Sequence, residues 1–383
     1  MPSTKKLLQA AAGNAGDDPL YVEDVFSTFL YDGNSSTQVI SNGLDLAGEG
    51  GSVWLKDRFS ASLGFHMNYS TLLGTGPTGG RIFGGVASTN VTSTQSDGLQ
   101  SYNSTGFTLG ANTYENGSGK SFVSWSFRKQ KGFFDCVKFS TTSGGGQQTV
   151  SHNLGSIPGT IILKQLTAGA DGYWYVINKN VTSPNSDWWL NYANLNITAA
   201  FGYWGSTAGI YSAPTSSAIT VSTYFTNQTA DFIAYFFAEG GSDDQIFGDD
   251  GDEGIIKCGS FTNSSSVFIN CGFEPQWVLL KRTNGVEGWL LFDTMRGIVT
   301  GGNDPFLQTN STAAASTGDD FIDVSATGFD VHGGLNGEYI YIAIRRPMKT
   351  PEAGTEVFAA QNPGYPLNSA GEAFTSGFPV DWA

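Results

Sequence analysis

The stretch EYIYIAIRR (338–346) alternates: Ile340, Ile342 and Ile344 fall on one side of an extended chain, and Tyr339, Tyr341 and Ala343 on the other. SFVSWSFRK (121–129) and DFIAYFFAE (231–239) repeat the pattern, with Val123, Trp125 and Phe127 and then Ile233, Tyr235 and Phe237 at the matching positions. One side is large and apolar in every copy; the other is mixed. A period of two with one apolar face predicts a half-buried strand. Three copies predict a structural unit that occurs three times.

The copies extend upstream. SVWLKDR (52–58), TIILKQL (160–166) and WVLLKRT (277–283) are apolar strands that run into Lys56, Lys164 and Lys281. Before them stand VISNGLDL (39–46), VSHNLGSI (150–157) and FINCGFEP (268–275), each a short strand closing on Asn and Gly. Glycine supplies the positive φ that such a turn needs. Before those again lie strands with polar tips, as in FLYDGNSST (29–37), and these are hairpin signatures. The repeats therefore occupy 26–131, 132–241 and 255–348, each of ordinary domain size. RKQKG (128–132) joins the first two tightly, and an acidic, glycine-rich linker (242–254) joins the second and third. An extended arm (1–25) precedes them, and an irregular tail rich in Pro and Gly (349–383) follows. The expected fold is all-β: independent antiparallel β-sandwich domains in tandem, jelly-roll or Ig-like.

Composition narrows the class. Of 383 residues, 39% are apolar and 13% aromatic, enough for a core, while only 14% are charged. Ser, Thr, Asn and Gly must then supply the polar surface, which suits exposed, turn-rich β-structure rather than a helical cytosolic enzyme. A net charge of −15 repels phosphate backbones, so nucleic acid is not an expected partner. No apolar run approaches the roughly 20 residues that cross a bilayer, so no membrane insertion is expected. Three cysteines make no disulfide framework. Cys258 and Cys271 could face each other across a hairpin, bonded or reduced. Cys136 shares the repeat position of Cys258, which points to packing for both.

Candidate chemistry is sparse. GSGKS (117–121) has Tyr114 where a phosphate-binding loop needs glycine, and a strand follows it instead of a helix. His66, His152 and His332 lie in different repeats without ligand spacing and read as turn or surface residues. Asp249, Asp250 and Asp252 in the acidic linker could hold Ca²⁺ weakly, but without the spacing of an EF-hand. Asp293 and Arg296 in GWLLFDTMRG (288–297) read as an ion pair pinning a turn. Trp188, Trp189, Tyr192 and Trp204 belong to an aromatic cluster in the second repeat. Core packing and a platform for sugar rings are both open for them. No nucleophile elbow occurs, so neither catalytic residues nor a cofactor is expected.

The stretches TKKLLQAAAGNAG, LYVEDVFSTFLYDGN, GDEGIIKCGSFT, FDTMRG and YIYIAIRRPMKTPEAGTEVF resemble structural proteins of marine, cyanobacterial-type tailed bacteriophages, usually described as tail fibre or virion structural proteins. The resemblance covers nearly the whole chain. It implies a non-enzymatic virion component, assembled in the host cytoplasm, in a tail fibre or appendage that contributes to host attachment. The implied partners are other tail or portal-proximal proteins, further copies of the chain (a trimer above all) and a host surface glycan. The N-terminal arm would be the anchor, with Leu7, Leu8, Tyr21, Val22 and Phe26 inserted into a neighbour's groove. Alternatives are a head-surface decoration protein, a glycan-binding adhesin and a polysaccharide depolymerase.

Overall fold

The structure is a computed structural model. It describes residues 19–348 apart from 60–63, 77–78, 85–91, 168–172, 206–208 and 242–243. The chain is all-β and forms three sandwich units in series. In each unit the first strand pairs with the last, the last with the lysine-bearing strand, and that strand with the next one. In the first unit these are Phe26–Asp32, Ser121–Arg128, Gly51–Asp57 and His66–Ser70. In the second they are Phe134–Thr141, Ala230–Ala238, Pro158–Gln165 and Trp174–Asn178, and in the third Ile256–Asn263, Gly337–Arg345, Pro275–Arg282 and Leu290–Asp293. All pairs are antiparallel. A smaller sheet covers one face of each large one. The turns leading into the lysine-bearing strands hold Gly43, Gly155 and Gly272 at φ of 87°, 82° and 82°, as the repeated glycine predicts.

The large sheets are buried on both faces, and this separates the molecule from a string of beads. Phe122 of the first unit and Tyr339, Tyr341 and Ala343 of the third face their own small sheets. The opposite rows meet in one central core: Val123, Trp125 and Phe127; Ile233, Tyr235 and Phe237; Ile340, Ile342 and Ile344. Phe127 lies 5.6 Å from Phe237 of the second unit and 6.0 Å from Trp277 of the third, between ring centroids. The aligned rows thus share one environment. The expectation of independent domains is corrected: each unit supplies one wall of a common interior. The alternation in sequence reveals that a face is buried, but not what covers it.

The first and last strands of every unit pair with Phe26 opposite Phe127, Phe134 opposite Phe237 and Ile256 opposite Ile344. Each unit therefore begins and ends at the same end of the body, which also holds both joints. The chain enters and leaves there too. The Gly248 amide donates to the Leu20 carbonyl (2.8 Å), and the Met348 amide to Glu23 Oε2 (3.1 Å). The hairpin tips point to the opposite end.

Three further expectations change. Val22 and Phe26 are fully buried in the central core, so they are not free to enter a neighbour's groove. Leu7 and Leu8 lie outside the described residues, as does the tail from 349. His66 and His152 are buried, not surface residues. Cys258 and Cys271 are both free thiols. Cys258 faces the centre and Cys271 the third unit's own sandwich, so the sheet lies between them.

Candidate functional site

Polar chemistry concentrates where the units meet. Lys56 Nζ is fully buried and donates to the carbonyls of Asp57 (3.0 Å) and Gly64 (2.5 Å) in its own unit. It also reaches Thr312 (3.3 Å) and Ala313 (2.9 Å) in the third. Lys281 repeats the arrangement one unit on, donating to Thr198 (3.0 Å) in the second unit and to Glu287 in its own. Burial pushes both ammonium groups down to about 8. Beside each lysine a ring N–H crosses the same seam. His66 Nε2 faces the Gln308 carbonyl (3.0 Å), and Trp289 Nε1 donates to the Asn194 carbonyl (2.9 Å). Pairing registers make these positions equivalent: His66 opposes Lys56, and Trp174 opposes Lys164. Unit one grips unit three as unit three grips unit two. Unit two meets unit one through Tyr235 OH, which donates to Asn68 Oδ1 (2.7 Å).

Asp293 and Arg296 form the expected ion pair (2.7 Å), and the Arg296 amide also donates to Asp293 Oδ1 (2.9 Å). The pair does more than pin its turn. Trp125 Nε1 of the first unit donates to Asp293 Oδ2 (2.9 Å), so the carboxylate ties two units together. Sequence spacing shows the local pair; only the closed ring brings Trp125 to it.

The aromatic cluster divides into pairs. Trp188 meets Trp189 edge-on at 6.1 Å, and both are half-buried. Tyr192 stacks on Trp204 at 4.5 Å. Gly209 also lies against the Trp204 ring, where a Cβ would fall 2.2 Å from the indole. Trp204 is thus packed within its own unit and half-buried, like Trp188, Trp189 and Tyr192. The small sheets of units one and three have three strands, whereas that of unit two has two among the described residues. On its open side only an isolated bridge, Ile210 to Val221, continues it. Tyr175, Trp204 and Phe225 meet one another tilted or edge-on at 5.7 Å between ring centroids. Tyr203, 52% exposed, and the Trp188–Trp189 pair stay partly open on the adjoining edge.

The linker carboxylates Asp249, Asp250 and Asp252 are exposed on a turn at the joint end. Tyr21 OH donates to Asp249 (2.5 Å), which pushes the phenol up to about 12. Tyr21 thus fastens the entering chain to the linker. Among the described residues the group of His and Asp side chains with ligand atoms in mutual reach is elsewhere: Asp320, Asp323 and His332. Asp323 already accepts from the Gly301 amide (2.8 Å) and faces His332 Nε2 (3.0 Å), which accounts for that cluster without an ion.

A cavity of about 40 Å³ lies in the central core, lined by Trp54, Phe134, Ile162, Trp174 and Tyr235 among others. It has room for water, not for a substrate. An open groove of about 630 Å³ runs along the joint end past Ile157, Pro214 and the Lys179–Glu239 pair.

Over residues 22–346 the chain matches the family described as a domain of unknown function, DUF7483, and it belongs to that family. The matched span takes in all three units and the joints between them. No curated protein matches the chain.

Proposed function

For this member of the family we propose a non-enzymatic role as a structural protein of a bacteriophage virion, in a tail fibre or tail appendage, held at its joint end and contributing to host attachment. The observation that carries the reading is the closure of three sandwiches about one core, with the chain entering and leaving at a single end. Such a body buries its aromatic rows within one chain and has a surface made polar by uncharged groups, which suits a particle component that must persist outside a cell. The sequence resemblance points the same way. The ring already buries the aromatic rows within one chain, so a homotrimer is not needed to cover them. Further copies, if present in the particle, would meet through other surfaces.

The test is incorporation. Particles made with a chain lacking residues 1–18 are expected to lack the protein, while the shortened protein unfolds at the temperature of the full chain. Normal incorporation of the shortened chain would contradict N-terminal anchoring, and turnover of host polysaccharide by the purified protein would contradict the non-enzymatic reading. A second reading, glycan binding, rests on the part-exposed Trp188, Trp189 and Tyr203. Trp188→Ala with Tyr203→Ala should weaken glycan-array signals without lowering thermal stability by more than a few degrees.

A further inference from the structure

Two of the three seams are bridged by the polypeptide, at 128–134 and at 239–255; the seam between units one and three is closed by side chains and backbone hydrogen bonds alone. At the ring position beside the buried lysine, unit two has Trp174 and unit three has Trp289. Unit one has His66, the one ionisable ring among the three, and it faces the seam without a covalent joint. We propose that this seam is a proton-operated latch, with His66 as its trigger, which opens the ring between units one and three in acid while the other two seams stay closed.

The geometry fixes the protonation state that holds the latch shut. His66 Nδ1 accepts from Trp54 Nε1 (2.9 Å), and Nε2 faces the Gln308 carbonyl (3.0 Å). Only the neutral ring with its proton on Nε2 satisfies both partners. A second proton on Nδ1 would meet the indole N–H head-on. The charged groups around the ring add to the penalty. Lys56 stands opposite on the neighbouring strand, and Arg296 approaches from unit three. The nearby carboxylates are engaged: Asp293 by Arg296 and Trp125, Asp57 by Lys120 (3.2 Å). Burial and these two cations hold the His66 imidazole well below its ordinary range. The sign follows. The unfolded or opened chain takes up a proton at about pH 6.5, and the closed seam does not. Closure is therefore fully supported above about 6.5 and loses support as pH falls below it, by up to tenfold in the opening equilibrium per pH unit. An opened seam would uncover Trp54 and Trp125.

The test is amide hydrogen exchange of the full chain between pH 7.5 and 4.5, corrected for intrinsic rates. The expected result is faster exchange at 64–66 and 306–316, rising up to tenfold per pH unit, before any change at the seams of Tyr235–Asn68 and Trp289–Asn194. His66→Gln keeps an acceptor for Trp54 and a donor for Gln308 but cannot ionise, and it should abolish the acid response. If that variant folds poorly, the ¹⁵N shifts of His66 in the unaltered protein decide. A ring that titrates near 6.5 with the seam still protected overturns the latch. So does an unchanged acid response in His66→Gln, or simultaneous loosening of all three seams.

Discussion

Lys56 shows how one residue acts across the molecule. Its ammonium serves carbonyls from two units, and Lys56→Met would leave those acceptors buried and unpaired. The expected loss is about 3 kcal/mol in denaturant unfolding, several times that of a surface lysine. Trp125→Phe removes the N–H from Asp293, which retains Arg296, and puts a smaller ring in a fully buried site. That substitution should cost about 2–4 kcal/mol from the lost bond and the void together, and a loss no larger than that of Trp→Phe at the equally buried Trp277 would deny the cross-unit bond its role. At this scale the sequence was half legible. Three lysines at matching positions after apolar runs announce a shared task. For Lys56 and Lys281 the task, capping carbonyls of another unit, depends on contacts such as Lys56 with Thr312, far apart in the chain, which no local pattern encodes. His66 was misread for the same reason: nothing near it in sequence is its partner across the seam.

At the scale of elements, strands were legible because alternation and turn glycines are local. Gly272 sits at φ 82° with open space around its Cβ position, so Gly272→Ala isolates the conformational cost, about 1–2 kcal/mol. Gly106 differs: at φ 144° its Cβ would fall 2.0 Å from the Ile40 carbonyl oxygen. Gly106→Ala should therefore destabilise more than Gly272→Ala, as the two unfolding midpoints would show. The aromatic cluster was visible in sequence but its purpose was not. Among the described residues the outer sheet of unit two has two strands rather than three, Trp204 packs against Gly209 beside its bridged edge, and a missing strand leaves no positive signal in a sequence. Tyr192 stacks on Trp204 and Trp188 meets Trp189 edge-on, and all four rings stay half-buried.

For the whole molecule, the repeat predicted three units but not their closure. A face read as half-buried is satisfied equally by a domain's own second sheet or by another unit. The central sheets have both, and the mixed side of each final strand, with serines at 124 and 126, concealed this. The account rests on the shared core making the units one cooperative body. Calorimetry of the full chain tests it most directly, through the ratio of calorimetric to van't Hoff enthalpy. The account predicts a single transition at neutral pH with a ratio near one. Separate transitions, or a ratio approaching three, would mean that the units fold independently and that the ring is not what holds the molecule together.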